Sequence, residues 1–411
     1  MSLYLNDNKE KTSAGIAQQC SILASTIESK HDLLIGELLK YESFEAAEDE
    51  IRKSVDCLKN ISKESEWLSY GKVDLLCTII PINLPLYSLI IFAITPGFIA
   101  NEVIIRPPVL IKDVFQKISE LLNLEKLLPH IKFIVMERTL FGEAYISVAD
   151  VVIFTGRYEN AKIVQKICPN ALFIYDGAGI NPLIITDSAN LAMAVEKTIK
   201  TRVFNSGQDC AGPDIIFVHK NILSKFKDKL LIELDKIEIG DYRSRAVRIG
   251  RILKINSLSA IKDFFNARTQ SLVYGGKIDF QNGIVYPTVI IENIRELNDI
   301  VTMEFFAPVF YLLSYHDDND LKKYFSQKSY RDFAMYTSIF GKVLPPIEIP
   351  NSTILHNQII NDTEQGNDPY GGYGPKTNYV SYDGIYYNRP LLISREICSY
   401  LKYRISRNKY I

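Results

Sequence analysis

Short apolar runs alternate with helical patterns along much of the chain after residue 73. The apolar runs in the first half occupy residues 75–80, 103–106, 133–136, 151–154 and 172–175. They are separated by helical patterns at residues 86–94, 110–128 and 159–168. Strands separated by helices of this length favour a parallel sheet with helices on both faces. The pattern therefore predicts an α/β fold.

Such sheets bind their ligands where the strands end, at the carboxyl edge. In this chain the residues that follow the predicted strands include Asn83, Arg106, Gly156 and Asp176. We expect these four residues to lie at one ligand-binding edge.

The remaining segments extend this pattern on both sides. Residues 12–62 carry apolar stripes at helical spacing, which predicts helices that pack against the first sheet. The strand and helix pattern begins again after Gly179 with a strand and a helix in residues 183–201. Residues 76–105 are apolar enough to suggest a membrane span, but Pro81, Pro85 and Pro96 interrupt them. We predict a strand, a buried helix and a second strand there, and no membrane span.

Charge and cysteine usage exclude several classes of function. The 411 residues contain 47 Lys and Arg and 48 Asp and Glu, a net charge of -1, which gives no reason to expect a nucleic-acid partner. The six cysteines form no C-x-x-C pair and the five histidines do not cluster, so we predict no metal site. Separated cysteines suit a reducing compartment, and the polar N-terminus is unlike a signal peptide. We expect a cytoplasmic location.

One cysteine occupies a position that suits chemistry. Cys210 follows a Gly-polar turn at the end of a predicted helix, in Phe204-Asn205-Ser206-Gly207-Gln208-Asp209-Cys210. A turn of this kind can expose a thiol and surround it with backbone N–H groups, whose positive field favours a thiolate nucleophile. The alternative for an arbitrary intracellular cysteine is a buried structural role.

The segment around Cys210 resembles the active-site signature of the aldehyde dehydrogenase superfamily, F-x-N-x-G-Q-x-C. Six further blocks follow the family's order along the chain, and the seven cover roughly residues 73 to 380. These six are Pro81-Ile82-Asn83-Leu84-Pro85, Phe154-Thr155-Gly156, residues 176–182, Gly275-Gly276 with Tyr286-Pro287-Thr288, residues 304–308 and residues 369–374. Chance agreement in seven collinear blocks is very improbable.

The resemblance implies a Rossmann-type cofactor lobe and a second α/β lobe that carries the nucleophile. It places a nicotinamide cofactor-binding domain in residues 1–178 and a catalytic domain in residues 179–344. Residues 345–411 would return to the first lobe and could supply an oligomerisation tail. The family usually has a longer segment before the block at Pro81, so the chain resembles a divergent and N-terminally shortened member.

The resemblance also implies three catalytic residues. Cys210 would attack the aldehyde carbon, and Asn83 would hold the oxyanion together with the N–H of Cys210. Asp176 stands where hydrolytic members have the glutamate that activates water. Aspartate is a competent base but is one methylene shorter. Taken alone, Asn83 would be a turn former and Asp176 a turn or cap residue.

A nicotinamide cofactor, NAD(P), is implied by the same blocks. The residues expected to contact it are Ile80, Pro81, Arg106, Thr155, Gly156, Arg157, Gly177, Glu304 and Phe306. Arg106 stands near the expected adenosine ribose, and the acidic residue that commonly follows in the family is Val109 here. A guanidinium without that carboxylate favours a 2'-phosphate, which indicates a weak preference for NADP.

Several departures from the family pattern leave the reaction open. Arg157 and Ala161 replace a serine and a glycine of the family's phosphate turn, and Ile215 stands where many members have an arginine. The segment Gly177-Ala178-Gly179-Ile180-Asn181-Pro182 also faintly resembles acylating members. The readings are therefore an NAD(P)-dependent aldehyde dehydrogenase, an NADPH-dependent acyl-thioester (acyl-CoA) reductase, or a degenerate member that only binds. The partners expected are an aldehyde or an acyl thioester, and a second copy of the chain in a homodimer or homotetramer.

Overall fold

The computed structural model describes residues 2–300, 303–342 and 347–408. The predicted boundary between residues 344 and 345 lies outside these residues. The strands, in chain order, are β1 (Val73–Ile79), β2 (Ala100–Arg106), β3 (Ile131–Phe133), β4 (Val151–Thr155), β5 (Leu172–Asp176), β6 (Leu183–Ile185), β7 (Ile216–His219), β8 (Leu272–Tyr274), β9 (Ile278–Asp279), β10 (Ile284–Val285), β11 (Thr288–Asn293), β12 (Val309–Tyr315), β13 (Tyr336–Phe340), β14 (Thr353–His356), β15 (Asn378–Tyr382) and β16 (Ile385–Tyr387).

The helices surround two large sheets. In chain order they are α1 (Ser2–Ser29), α2 (His31–Leu38), α3 (Phe44–Lys59), α4 (Ser65–Leu68), α5 (Pro85–Leu89), α6 (Thr95–Gly97), α7 (Lys112–Leu122), α8 (Leu124–Leu127), α9 (Arg138–Ala144), α10 (Tyr158–Ile167), α11 (Leu191–Val203), α12 (Leu223–Leu234), α13 (Leu258–Asn266), α14 (Asp318–Phe325), α15 (Lys328–Phe333), α16 (Ile360–Thr363) and α17 (Ile393–Asn408). A π-turn at Ile90–Ile94 joins α5 to α6.

The first sheet has the strand order β16-β15-β5-β4-β1-β2-β3. Strands β1 to β5 are parallel to their neighbours, as the alternating pattern predicts, and β15 and β16 are antiparallel. The strand order reverses at β1, because β2 lies on one side of β1 and β4 lies on the other. Doubly wound sheets bind ligands at such a point, beside the carboxyl ends of the strands.

The second sheet has the order β14-β13-β6-β7-β12-β11-β8 and is parallel except at β8. Both large sheets have apolar cores on both faces. Burial on two faces explains why their central strands read as continuous apolar runs. The fold therefore consists of two mainly parallel, mixed sheets, each covered by helices.

The N-terminal helices cover one face of the first sheet. Ile16, Cys20, Leu23 and Ile27 of the predicted stripe are buried in the core that this face shares with α3 and α7. The apolar segment that could have suggested a membrane span forms β1, the helical segment 85–97 and β2. In the described part of the chain, no helix is both long enough and apolar enough to cross a bilayer.

Two local predictions differ from the structure. A strand was predicted at 133–136, but the observed strand β3 covers Ile131–Phe133. Glu137 then caps α9 by accepting hydrogen bonds from the amides of Thr139 and Leu140. The residues after 345 begin with β14, which pairs with β13 of the second sheet. The chain rejoins the first sheet only at β15, which pairs with β5 of the same chain.

Candidate active site

The loop that carries Cys210 begins with an abrupt change of backbone direction. After α11, Asn205, Ser206 and Gly207 have φ values of 47°, 58° and 75°. A Cβ atom on Gly207 would lie 2.4 Å from the carbonyl carbon of Ala307. Glycine is required here because the loop combines a left-handed conformation with close contact to a neighbouring backbone.

Arg202, at the end of α11, binds the Cys210 loop from inside. Its side chain is fully buried, and its two terminal nitrogens donate to the carbonyl oxygens of Pro213 (2.9 Å) and Gly207 (2.6 Å). The carboxylate of Asp214 lies 3.7 Å away. One guanidinium therefore fixes both ends of the loop. Sequence reasoning missed Arg202, because it looks like an ordinary basic residue in the last turn of a helix.

A second set of hydrogen bonds anchors the loop to the segment 242–253. The amide of Gly250 donates to the hydroxyl of Ser206 at 2.8 Å, and the amide of Leu253 donates to Oε1 of Gln208 at 2.7 Å. The hydroxyl of Ser206 also bonds that of Tyr242 at 2.5 Å. Ser206 and Gln208 thus have partners inside the protein, whereas both side-chain polar atoms of Asn205 are buried without a partner among the described residues.

Cys210 is half-buried at the end of this loop. Its carbonyl oxygen accepts a hydrogen bond from Nδ2 of Asn181 at 2.8 Å, and Oδ1 of Asn181 accepts one from the amide of Tyr336 at 3.2 Å. Among the described residues the N–H of Cys210 has no acceptor. This N–H is therefore available to an oxyanion. Asn181 was noted only as part of a glycine-rich segment, with no role predicted for it.

The side-chain charges around the thiol are negative. Burial raises the pKa of Cys210 well above its usual value, and the carboxyl groups of Asp209, Asp176 and Glu304 raise it further. Backbone N–H groups were expected to make the local field positive. Burial and the neighbouring carboxylates both act against the thiolate form of Cys210.

Asp176 ends β5 at the carboxyl edge of the first sheet. Its side chain is half-buried, and Oδ1 is enclosed without a hydrogen-bond partner among the described residues. Burial raises the pKa of this carboxyl to about 7, and Glu364 contributes to the shift. A carboxyl group with a pKa near neutrality and a free oxygen can accept a proton at physiological pH.

Asn83 lies on the loop that follows β1. Leu84 has a φ of 50°, and Pro85 starts α5, so the loop turns sharply before the helix. The carbonyl oxygen of Asn83 accepts a hydrogen bond from the hydroxyl of Ser88 at 3.1 Å. Its half-buried side-chain amide bonds no other described residue. The amide is therefore unengaged, and no hydrogen bond between described residues joins Asn83 to Cys210.

Hydrogen bonds from side-chain hydroxyls connect the ends of β1, β4 and β5. Thr155 donates to the carbonyl oxygen of Ile79 at 2.9 Å, and Tyr175 donates to that of Gly156 at 3.0 Å. Gly156 is exposed and has a φ of 140°. Gly177 is buried and donates to Thr377 at 2.8 Å. Of the predicted cofactor residues, Gly156 is open to a ligand, whereas Gly177 is enclosed by protein.

Two predicted cofactor residues are arginines without a carboxylate partner in the described chain. Nε of Arg106 donates to the carbonyl oxygen of Met136 at 3.2 Å, and burial followed by the nearby charge of Arg138 lowers its pKa. Arg157 is exposed and precedes α10, whose first turn has no side-chain cap. Ile80 is buried and Pro81 is half-buried beside them. The free guanidiniums and the uncapped helix can bind anionic groups.

Glu304 and Phe306 lie on the loop that contacts the Cys210 loop through Ala307. Oε1 of Glu304 is enclosed without a partner among the described residues. Burial and then Asp214 raise the pKa of Glu304 well above its usual value, while Lys254 and Arg157 act in the opposite direction. Phe306 has a φ of 45°, and Nζ of Lys254 lies 5.8 Å from the centre of its ring. The loop thus presents an unsatisfied carboxyl beside the basic residues.

The charges of Asp176 and Glu304 contribute to the raised pKa of Cys210, and the charge of Arg157 acts on the pKa of Glu304 in the opposite direction. Arg106 lies further along the same edge, beyond β1, at the end of β2. In the described part of the chain, no three His, Cys, Asp or Glu side chains are grouped closely enough to hold a metal ion.

Comparison of the sequence with curated proteins gives distant relatives. The chain is 25% identical over 285 residues to a lactaldehyde dehydrogenase of Methanococcus aeolicus, covering 65% of this chain and 58% of that protein. It is 27% identical over 271 residues to 4,4'-diaponeurosporen-aldehyde dehydrogenase of Staphylococcus aureus, covering 63% of this chain and 56% of the relative. The chain thus spans little more than half the length of these curated relatives.

Solved structures agree over nearly the whole chain. The glyceraldehyde-3-phosphate dehydrogenase GapN of Methanocaldococcus jannaschii, complexed with NADP, superimposes with a TM-score of 0.77 and 17% identity, covering 94% of this chain and 92% of the other. Betaine aldehyde dehydrogenase of Staphylococcus aureus, in complex with NAD+, gives a TM-score of 0.76 and 18% identity, covering 93% and 84%. The predicted two-lobed α/β fold is thereby confirmed. The model of the aldehyde dehydrogenase family matches residues 42–374, and the chain belongs to that family.

Proposed function

We propose that this protein oxidises an aldehyde to a carboxylic acid with NAD(P)+, through a thioester on Cys210. The observation that carries the proposal is the free oxygen of Asp176. This carboxyl has a pKa of about 7, lies within electrostatic reach of Cys210, and has no competing hydrogen bond on Oδ1 among the described residues. A base that is free and half-ionised near neutrality suits the activation of water.

The residues at the strand ends fit a nicotinamide dinucleotide. Gly156 is exposed beside the uncapped start of α10, so a diphosphate can approach the backbone there. The enclosed Oε1 of Glu304 lacks a donor among the described residues, which a ribose hydroxyl could supply. Arg106 and Arg157 have no carboxylate partner in the described chain. Bound NAD(P)+ would accept the hydride that leaves the substrate carbon.

The first covalent step joins the sulfur of Cys210 to the aldehyde carbon. The thiol loses its proton to solvent as the carbon–sulfur bond forms, and the carbonyl oxygen becomes an oxyanion. The free N–H of Cys210 and the unengaged amide of Asn83 are the donors proposed to hold that oxyanion. Asn181 and Arg202 would position the backbone from which this N–H projects.

Hydride loss leaves a thioester, which water must cleave. Asp176 takes a proton from water while the water oxygen attacks the thioester carbon, and the carbon–sulfur bond breaks to release the acid and the sulfur of Cys210. The overall change converts an aldehyde, water and NAD(P)+ into an acid, NAD(P)H and a proton.

The basic edge supports a preference for NADP over NAD. Arg106 bonds a carbonyl oxygen and no carboxylate in the described chain, and Val109 at the expected acidic position is 58% exposed. A guanidinium without a competing carboxylate binds a 2'-phosphate well. An acyl-thioester reductase would need no base at Asp176, and neither would a protein that only binds. The free carboxyl oxygen therefore favours the dehydrogenase.

Mass spectrometry of the intact protein tests the proposal. Wild-type protein, incubated with NADP+ and a panel of aldehydes, is expected to gain an acyl adduct on Cys210 that decays to free acid. Asp176→Asn should accumulate the same adduct, and Cys210→Ala should form none. An adduct that forms from acyl-CoA and is discharged as aldehyde only when NADPH is added would show the reductase instead. Absence of any adduct, together with absence of NAD(P) binding by calorimetry, would favour a non-catalytic protein.

Self-association is proposed on the family resemblance alone. A homodimer or homotetramer is the expected assembly, and sedimentation velocity on the full chain measures it directly. A single species at the mass of one chain across micromolar concentrations would contradict this expectation.

A further inference from the structure

The hydroxyl of Tyr370 is buried and has no hydrogen-bond partner among the described residues. The ring that carries it is half-buried and packs edge-on against Phe92, with the ring centres 6.3 Å apart. A buried hydroxyl without a partner gives up its hydrogen bonds to water, which opposes folding. A catalytic role or a bound water explains such groups in native proteins.

The residue after Tyr370 connects it to the Cys210 loop. The amide of Gly371 donates to the hydroxyl of Tyr336 at 2.5 Å. The amide of Tyr336 donates to Oδ1 of Asn181, and Nδ2 of Asn181 donates to the carbonyl oxygen of Cys210. Three hydrogen bonds therefore lead from Cys210 to the residue beside Tyr370.

The same segment also contacts the strand that flanks Asp176. The amide of Gly372 donates to Oδ1 of Asn378 at 3.1 Å, and Asn378 lies opposite Asp176 where β15 pairs with β5. The two segments pack closely, since a Cβ atom on Gly371 would lie 2.8 Å from Oδ1 of Asn378. Tyr370 thus lies on a segment that is attached both to the Cys210 loop and to the partner of Asp176.

Tyr370 and Asp176 lie on the same face of the first sheet. Leu172 and Ile174 of β5 belong to the core beneath the N-terminal helices, and alternation along the strand places Asp176 on their face. Tyr370 packs against this same core. Burial and then the charge of Asp176 raise the pKa of Tyr370 well above its usual value, in agreement with this placement. Each residue has one enclosed oxygen without a partner in the described chain, the hydroxyl of Tyr370 and Oδ1 of Asp176.

We infer that the hydroxyl of Tyr370 positions the water that cleaves the thioester, together with the carboxylate of Asp176. This inference rests on the proposed oxidation of an aldehyde at Cys210. A carboxylate alone binds one hydrogen of a water molecule and leaves the water free to rotate about that bond. Misplacement of a reacting atom by about 1 Å can reduce a rate about a hundredfold, so a second contact to the water is valuable.

The hydrolytic step assigns one hydrogen of the water to each residue. Asp176 accepts the first hydrogen and Tyr370 the second, which directs a lone pair of the water oxygen at the thioester carbon. As the carbon–oxygen bond forms, the first hydrogen passes to Asp176 as a proton. The carbon–sulfur bond then breaks, and its electron pair leaves with the sulfur of Cys210. Tyr370 keeps its own proton throughout, so it is a positioning residue.

Tyr370→Phe removes the hydroxyl and keeps the ring. The thioester on Cys210 should form at the wild-type rate, whereas its decay to free acid should slow about tenfold, because one hydrogen bond to the water is lost. Single-turnover mass spectrometry of the intact protein, with NADP+ and an aldehyde that acylates the wild type, measures both rates.

Tyr324→Phe is the matched control. Tyr324 also has a buried hydroxyl without a partner among the described residues, but it lies in the core of the second sheet, where its ring packs against Phe217 and Phe325. Loss of this hydroxyl should leave both rates unchanged. Each variant removes only an unpartnered hydroxyl, so neither should lower the melting temperature.

A double variant distinguishes a shared water from a general effect on the site. If Asp176 and Tyr370 act on one water, Tyr370→Phe should slow decay by less than about twofold once Asp176→Asn is present. Slowing of about tenfold in both backgrounds would mean that Tyr370 acts independently of Asp176, and it would overturn the inference.

The remaining outcomes separate this inference from the proposed function. Decay at the wild-type rate in folded Tyr370→Phe would overturn the inference and leave aldehyde oxidation intact. Equal slowing in Tyr324→Phe would also overturn it, because the effect would then follow from loss of any buried hydroxyl. If the wild-type thioester did not decay to acid at all, the proposed function would fail and the inference with it.

Discussion

The loop around Cys210 and the turn at Gly156 are both expected to meet substrate or cofactor, yet they are held in different ways. The Cys210 loop is bound by the buried Arg202, by the hydrogen bonds of Ser206 and Gln208, and by the contact of Gly207 with Ala307. The turn at Gly156 is exposed, and α10 after it starts without a side-chain cap.

This difference shows which part of the site is already complete. The donors around the Cys210 backbone must act on a transient charge, and such donors work best when they are fixed before the reaction. The Gly156 turn leaves donors and cations free, so a ligand must supply their partners. Arg157, which departs from the family pattern, is exposed in this second region, whereas the other departure, Ala161, is buried in α10.

Two arginines offer the sharpest test of the contrast. Arg202→Met should lower the free energy of unfolding by about 3–5 kcal/mol, because it removes a buried cation and leaves Asp214 and two carbonyl oxygens without their partner. Arg157→Met, at the exposed turn, should change it by less than about 0.5 kcal/mol. Urea unfolding of both variants measures these values. Equal losses would mean that the two regions are held alike.

Substitution of one glycine in each region compares how tightly the two backbones are packed. Gly207→Ala should cost about 3 kcal/mol, because φ is 75° and the new Cβ would lie 2.4 Å from the carbonyl carbon of Ala307. Gly156→Ala should cost about 1 kcal/mol, since φ is 140° but the nearest atom, on the Phe154 ring, is 3.4 Å away. Thermal and urea unfolding check the order. A larger loss for Gly156→Ala would contradict it.

Asp176 lies where the two regions meet, and its effect should be on rate. Asp176→Asn should slow thioester hydrolysis about a hundredfold, which is typical for loss of a general base. The wild-type rate should rise with pH to a plateau with an apparent pKa of about 7, because the carboxyl is the active base only when it is ionised. Single-turnover decay of a preformed thioester measures this step apart from acylation. If the rate of hydrolysis by Asp176→Asn still rose with pH in the same way, a residue other than Asp176 would be the base.

The pH dependence of stability tests the packing behind the Cys210 loop, where α3 contacts residues 204–207 and Glu42 is buried just before α3. Burial and Glu50 raise the pKa of Glu42 well above its usual value, so the folded protein keeps a proton that the unfolded chain releases above about pH 4.5. Stability from this group is therefore lost as pH rises, by up to about 1.4 kcal/mol per pH unit. Glu42→Gln should remove that slope between pH 5 and 7. Urea unfolding across this range should show it, with Glu48→Gln, at a half-exposed acid on α3, as control.

Much of the fold followed from sequence because each element has a local signal. Apolar runs located β1, β4 and β5 to within one or two residues, and the helix before Cys210 was expected close to where α11 lies. The blocks of the family resemblance supplied the order of the lobes. No helix was predicted at α9, because its cap Glu137 directly follows the apolar segment 133–136, whose pattern predicts a strand.

The residues that complete the site could not be found in this way. Arg202 acts on carbonyl groups five and eleven residues away, and Asn181 binds across two loops. Such contacts depend on the packing of one sheet against its helices, which neither periodicity nor a short motif encodes.

The pairing of β15 with β5 has a consequence for how the protein is made. Asn378 lies opposite Asp176 in this pair, so the strand that flanks the proposed base is synthesised long after β5 itself. The second sheet, from β6 to β14, is continuous in sequence and can form on the ribosome before residue 378 emerges. Until then β5 presents an open edge, which invites pairing with other chains. Ribosomal pausing ahead of β15 would prolong that exposure, and premature termination there would leave a folded cysteine loop beside an unfinished, aggregation-prone sheet.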